Sequence, residues 1–260
     1  LFRSEPVVLA TITRIEGSSS QPLASRMAIT TGARFFGSVS GGCVEKDVSL
    51  HAEEILGTGN TRVLDYGPVE DSFLEVGLNC EGRIRVLLEP LTEKLLVMLR
   101  RPAGTAMRTR HLLDPGESND AVVEHELLPA GESLNSGTEA ISRVIEEDGP
   151  RRLELIEPRI EPPLLLIFGA GTVAYPLSSL AKELGYRVIL TDPRPAYLSQ
   201  EQFPAADEVI AAWPRELPEI FRERGVDLDG RSAVVSLNHE ERFEDDLLRT
   251  LMALPTVGYL

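Results

Sequence analysis

Apolar positions fall into three regimes along this chain. In the first, short apolar runs alternate with turn residues. Pro6 to Arg14 sets Val8, Ala10 and Ile12 against Val7, Leu9, Thr11 and Thr13, which predicts a strand. Glu16-Gly17-Ser18-Ser19-Ser20-Gln21-Pro22 has loop chemistry, and Arg26 to Thr30 with Arg34 to Ser40 predict a hairpin around Thr31-Gly32. Beyond Gly41-Gly42, the residues Val44, Val48, Ala52, Ile55 and Leu56 recur at helical spacing, and Gly57 is the expected end of that helix. Arg62 to Tyr66 and Arg83 to Glu89 predict two further strands, closed by Pro90.

The middle regime is less regular. Leu95 to Leu99 is an apolar run of either type. Thr105 to Leu113 and Ala121 to Leu128 predict strands around the turn residues Asp114-Pro115-Gly116, and Thr138 to Glu147 predicts a short helix. Consecutive prolines in Glu161-Pro162-Pro163 stop both helix and sheet pairing and read as a linker.

In the last regime strand and helix alternate with short connections. Strands are expected at Leu164–Phe168, Arg187–Thr191, Glu208–Ala211 and Ala233–Leu237, with a fifth starting near Thr256. Val173, Leu177, Leu180, Ala181 and Leu184 form a helix stripe expected to face the sheet. Helices around Ile220-Phe221 and from Phe243 to Ala253 follow. This is the pattern of a doubly wound parallel sheet. The reading is α/β throughout: an α+β domain over residues 1–92, a β-rich middle segment and linker over 93–163, and a Rossmann-like domain over 164–260. The chain starts at Leu1 without an initiator Met and stops after an apolar run, so it reads as part of a longer protein with the last domain cut short.

The first turn of the Rossmann-like domain carries a specific signal. Leu164 to Phe168 leads into Gly169-Ala170-Gly171-Thr172-Val173-Ala174, a G-x-G-x-x-A loop between strand and helix. In that pattern Gly169 permits the tight turn, Gly171 admits a pyrophosphate to the backbone, and Ala174 allows close helix–sheet packing. Asp192, at the end of the next strand, stands where a carboxylate accepts hydrogen bonds from an adenosine ribose. Arg194, two residues on, suits a 2′-phosphate instead. Pro176 falls inside the helix, where a kink is expected. His239 follows the fourth strand, at the end of the sheet where ligands bind.

Composition narrows the function classes. The formal net charge is −15, with 42% hydrophobic and 26% charged residues. An apolar fraction of that size excludes a disordered acidic tail. An acidic surface repels phosphate backbones and anionic lipids, so nucleic acid and membrane are not expected partners. No run approaches the roughly 20 apolar residues of a membrane helix, and a cytoplasmic location is expected.

The 2 cysteines cannot build a disulfide framework or a four-cysteine zinc site, and no metal site is expected. Their settings are more informative than their number. Cys43 lies in Val39-Ser40-Gly41-Gly42-Cys43-Val44-Glu45, at the expected start of a helix, where free N–H groups favour a thiolate. Cys80 lies in Gly77-Leu78-Asn79-Cys80-Glu81-Gly82-Arg83. Both are candidate reactive thiols, and small buried hydrophobes are the competing reading.

Four strings of the first domain are Glu16-Gly17-Ser18-Ser19, the run from Gly37 to Glu45, Leu78-Asn79-Cys80-Glu81-Gly82, and Leu87-Leu88-Glu89-Pro90. Together with Phe168-Gly169-Ala170-Gly171, Asp192-Pro193-Arg194, and His239 followed by Asp245, they resemble the XdhC/CoxI family. These are accessory proteins of xanthine dehydrogenase and related molybdenum hydroxylases. The resemblance implies a chaperone, not itself a turnover enzyme, that binds the molybdenum cofactor (molybdopterin). It also implies cooperation with a cysteine desulfurase that sulfurates the cofactor, delivery to the apo-enzyme, and a homodimer. Carried onto this chain, Cys43 and then Cys80 are the candidate thiolates, with Ser40, Gly41, Gly42 and Glu45 around them. Arg14, Arg26, Lys46 and Arg83 are candidate cations for an anionic cargo. Gly169, Gly171, Ala174, Asp192 and His239 are candidate residues of a second, NAD(P)-type site. Two other functions stay open on the residues alone: an NAD(P)-dependent oxidoreductase, which the glycine loop suits but for which no general acid–base set is evident, and a nucleotide-sensing regulatory module.

Overall fold

The computed structural model describes residues 5–68, 76–78, 81–112, 121–129, 139–145, 151–238, 240–252 and 258–259. The chain divides into two compact units, Leu1–Ile160 and Glu161–Leu260.

The first unit holds two antiparallel sheets. One has the order β3-β2-β1-β5-β4, from β1 (Val7–Glu16), β2 (Arg26–Thr30), β3 (Arg34–Gly37), β4 (Arg62–Tyr66) and β5 (Arg83–Pro90). The alternation in β1 has an unexpected outcome, because both of its faces are buried. Val8, Ala10 and Ile12 pack with Val48, Ala52 and Ile55 of helix α1 (Glu45–Thr58), while Leu9 packs with Leu95, Met98 and Met107. Helix α1 runs through Gly57 and ends one residue before Gly59, whose N–H closes onto the Ile55 carbonyl. An interior glycine costs only about 1 kcal/mol of helix propensity, which the burial of Ile55 offsets.

The run of either type is helix α2 (Glu93–Leu99), started by Thr92, whose hydroxyl accepts from the Leu95 N–H. The second sheet, β7-β6-β9-β8, is built from β6 (Ala106–Leu112), β7 (Val123–Leu128), β8 (Ile141–Ile145) and β9 (Arg152–Pro158). One expectation fails here. The helix expected over 138–147 is strand β8, paired antiparallel with β9. Strand β9 itself lacks a clean hydrophobic signature because it buries a charge. Glu154 is fully buried among Arg108, Arg110 and Arg143, and the three guanidinium groups outweigh burial and hold its carboxyl below the usual range. The turn expected at Asp114-Pro115-Gly116 lies outside the described residues.

Buried His111 ties β6 to β1. Its Nδ1 lies 2.8 Å from the Leu112 carbonyl, so Nδ1 carries the proton and Nε2 accepts from the Thr13 hydroxyl at 3.0 Å.

The second unit is a parallel sheet of order β12-β11-β10-β13, from β10 (Leu164–Phe168), β11 (Arg187–Asp192), β12 (Glu208–Ala211) and β13 (Ala233–Ser236). Helices α3 (Ala174–Glu183), α4 (Leu217–Arg224) and α5 (Glu241–Met252) connect or follow the strands. The expected fifth strand falls on residues outside the described set, apart from an isolated parallel bridge between Ala233 and Tyr259.

The stripe read along α3 is only partly buried, with Ala181 and Leu177 against the core. Ala174, Ser178 and Ala181 are the helix's buried positions, whereas Val173, Leu180 and Leu184 are exposed and Leu177 is partly buried. Small residues on the sheet side let the helix approach β10 and β11 closely. Pro176 does not kink α3, because it lies in the first turn, where no intrahelical N–H bond is lost.

Candidate functional site

The first unit gathers three loops of the sequence motifs. The connection from β3 to α1 carries Ser38 to Val44. Glu45, the first residue of α1, reaches back under this connection. Its Oε1 accepts from the Ser38 hydroxyl and from the N–H groups of Val39 and Ser40 at 3.1 and 2.8 Å. Its Oε2 accepts from the Ser40 hydroxyl and from the Gly42 N–H at 2.9 Å. The two hydroxyls in turn accept from the N–H groups of Gly41 and Val44. Burial pushes the Glu45 carboxyl up, but the Ser38 and Ser40 bonds outweigh it and bring its pKa to about 2. The carboxylate is thus ionised and saturated.

This network holds the loop in a shape that side chains rarely tolerate. Gly42 has φ +115°, and no atom lies within 4 Å of where its Cβ would stand. Cys43 follows, exposed, two residues ahead of α1.

The Glu16-to-Gln21 segment touches both remaining motif regions. At one end the Ser20 hydroxyl donates to the Ser40 carbonyl at 2.5 Å, so Ser20 is fastened to the cysteine loop. In its middle, Ser18 lies against Gly82. A Cβ on Gly82 would stand 1.8 Å from the Ser18 carbonyl oxygen, closer than any side chain permits. Gly82→Ala is therefore expected to force the two loops apart and to cost about 2 kcal/mol. Denaturant unfolding of the variant measures this, and an unchanged midpoint would remove the close approach from the account.

At the other end of the segment Glu16 lines a cavity of about 290 Å³ with Arg14, Asp65, Tyr66, Gly67, Arg83 and Arg85. Arg85 grips Asp65 with two bonds of 2.7 Å, and Arg14 pairs with Glu16. Arg83 lies over Gly67 and, among the described residues, has no carboxylate partner. Among the described residues, three arginines against two carboxylates give this cavity one excess positive charge, in a chain of net charge −15.

In the second unit, Gly169-Ala170-Gly171 forms the turn from β10 towards α3 as the motif predicts. A cavity of about 510 Å³ opens there, at the carboxyl ends of the strands.

Comparison with known proteins bears on both units. Residues 2–67 match the XdhC and CoxI family, and residues 165–260 match the XdhC Rossmann domain. A Bacillus subtilis relative, described as a probable subunit of xanthine dehydrogenase, is 32% identical over 252 residues, covering 90% of this chain and 73% of the relative. The chain belongs to the XdhC and CoxI family. The Escherichia coli "Molybdenum cofactor insertion chaperone PaoD" is 35% identical over 103 residues, 39% of this chain and 32% of that protein. A solved Bacillus halodurans structure described as a xanthine dehydrogenase shares the fold, with a TM-score of 0.72 at 24% identity over 100% of this chain and 79% of that one.

Within this XdhC/CoxI chain the candidate residues have distinct surroundings. Ser40, Gly41, Gly42, Cys43 and Glu45 form one connected loop. Arg26 pairs instead with Glu157, which also receives Arg101, and so ties β2 to β9. Asp192 is fully buried and bonded by its own chain. Cys80 and His239 lie outside the described residues. Among the described residues, no group of three His, Cys, Asp or Glu side chains is placed to hold a metal ion, and no helix is long and apolar enough to cross a membrane.

Sequence reading missed Ser20, Ser38, Arg85, Asn238 and Glu240. The Ser-x-Ser spacing of Ser38 and Ser40 ahead of Glu45 was a usable signal, since hydroxyls followed by an acid on a helix start form reciprocal caps. Arg85 gave none, being one of several arginines on alternating strand positions.

Proposed function

We propose that this chain is a molybdenum-cofactor chaperone that holds the cofactor, supports its sulfuration by a cysteine desulfurase, and passes it to a xanthine dehydrogenase-type hydroxylase. The observation that carries the reading is the joined pair of features in the first unit. Exposed Cys43 sits on a loop locked by Glu45, and the Glu16-to-Gln21 segment connects that loop to the cavity of Arg14, Arg83 and Arg85. The cargo is an anionic pterin that carries a dithiolene and a phosphate. Arginine forks and bare backbone N–H groups suit the phosphate. A thiol on a glycine-flanked loop suits the sulfur-bound metal end. The net charge of −15 does not forbid such cargo, because salt screens the distant surface field within about 8 Å. The function printed in the name of PaoD supports the same reading. The cofactor is cargo here, and a homodimer belongs to the proposal as an inheritance from the family.

The test is expression of the full chain in cells that make the cofactor, followed by anaerobic purification, absorbance and mass spectrometry. Cofactor is expected to co-purify. Arg83→Ala, on an exposed side chain, is expected to lower retention about tenfold, the worth of one charge-assisted hydrogen bond. Wild-type protein that emerges without cofactor from such cells would overturn the reading.

A further inference from the structure

The second unit has a cavity whose chemistry differs from the one its motif suggests. In the dinucleotide-binding pattern, the acid at the end of the second strand accepts the adenosine ribose hydroxyls. Asp192 stands at that position, but its oxygens are taken. Oδ1 accepts from the Arg194 N–H at 2.8 Å and from Arg194 Nε at 2.9 Å. Oδ2 accepts from the Ala170 N–H and from Arg194 Nη2, both at 2.9 Å. Four donors fill the roughly four lone-pair positions of a carboxylate. Asp192 is also fully buried, so a ribose could reach it only by displacing Arg194.

The same contacts aim Arg194. Its Nη2 also donates to the Asn238 Oδ1 at 3.1 Å, and the Tyr197 ring lies 4.4 Å from the guanidinium carbon. What remains is Nη1, whose contact with Glu240 Oε1 is long, at 3.5 Å. Arg194 and Glu240 line the cavity of about 510 Å³ together with Gly171, Thr172, Ser236 and Asn238. That volume is within the range of ordinary small-molecule sites. Nothing lies within 4 Å of a Cβ position on Gly171, so the backbone there is open to a ligand. Among the described residues, the buried atoms Ser236 Oγ and Asn238 Nδ2 of this lining have no hydrogen-bond partner. Native structures leave few such groups unsatisfied, and they are independent pointers to a polar ligand.

We propose that this cavity binds an adenine dinucleotide carrying a 2′-phosphate, with Arg194 reading the phosphate and Asp192 serving to hold Arg194. Arginine forks match phosphate oxygens, whereas an unphosphorylated ribose offers Arg194 no anion and finds Asp192 occupied. Glu240 opposes the incoming phosphate and must swing aside. The inference concerns the second unit alone and is independent of the cofactor reading of the first.

Thermal-shift and calorimetric titration of the full chain with NADP⁺, NAD⁺ and inorganic phosphate tests it. NADP⁺ is expected to bind at least tenfold more tightly than NAD⁺, with inorganic phosphate giving little stabilisation. Arg194→Ala should bring the NADP⁺/NAD⁺ preference close to one. Because that variant also removes the partner of a buried carboxylate, Glu240→Gln supplies a second readout that leaves the Asp192–Arg194 pair in place. It should tighten NADP⁺ several-fold and leave NAD⁺ unchanged. Equal or tighter binding of NAD⁺, no binding of either dinucleotide at millimolar concentration, phosphate alone matching NADP⁺, or an unaltered NADP⁺ affinity in Glu240→Gln would each overturn the proposal.

Discussion

Cys43→Ala is expected to lower cofactor retention and activation of a partner hydroxylase at least ~100-fold while leaving the stability of the first unit within about 0.5 kcal/mol. The two halves of this expectation have different origins. Cys43 is exposed, ahead of α1, and contributes nothing to the core that contains Val44 and Val48. Substitutions at such positions rarely shift stability. Its loop, in contrast, is held in one shape by Glu45 and presents Cys43 at the surface. The magnitude follows because removing groups behind a metal's ligands already costs about 10–100-fold in affinity, and a directly contacting thiolate should cost more. The measurement pairs calorimetric Tm with metal and pterin content after anaerobic purification. Retained cofactor and full activation in the alanine variant would show that the thiol does not touch the cargo. A large fall in Tm would show instead that the residue is structural.

Glu45→Gln should give the complementary pattern. The Glu45 carboxyl is held at about 2 against an ordinary value of 4.5. That depression corresponds to about 3 kcal/mol of stability. The amide keeps one acceptor oxygen but turns an NH₂ towards the Ser40 hydroxyl and the Gly42 N–H, leaving both donors without their acceptor. An expected loss of about 3 kcal/mol lowers the Tm of a unit this size by on the order of 10 °C. The contribution of Glu45 is complete above the ordinary carboxylate range near 4.5 and is lost as the pH falls towards about 2. Between those values the wild type should lose stability with falling pH more steeply than the variant. Equal pH slopes in the two proteins would refute this account of the loop. Cofactor retention should fall in Glu45→Gln as well, since the loop that presents Cys43 is released. Stability and retention therefore fall together in this variant and separate in Cys43→Ala.

Expectation and structure part at three places for three different reasons. In α3 the larger residues Val173, Leu180 and Leu184 mark the expected buried side, yet Ala174, Ser178 and Ala181 face the sheet. Periodicity reports which residues share a face, and both faces of this helix have it; close packing selected the smaller set. In β9 the alternation is obscured by buried Glu154 and half-buried Glu157, which arginines from other strands come to meet. At Asp192 the motif locates an acid at the right end of the right strand, while Arg194 takes up its lone pairs.

The local chemistry of this chain was legible from residue order alone. The βαβ alternation with G-x-G-x-x-A specifies a strand–turn–helix whatever surrounds it, because the constraints lie within a dozen residues. The Ser-Gly-Gly-Cys-Val-Glu string likewise placed a thiol on a glycine loop at the start of a helix. Tertiary structure decided everything that depends on partners distant in sequence. Gly82 against Ser18, Ser20 on Ser40, and the arginine cavity between the ends of β1, β4 and β5 bring together segments up to 71 residues apart. Which charges are spent on each other, as Arg26 is on Glu157, and which, such as Arg83, have no carboxylate partner among the described residues, depends on distance in space. Electrostatic and hydrogen-bond energies act over a few ångströms, and only the folded chain sets those distances.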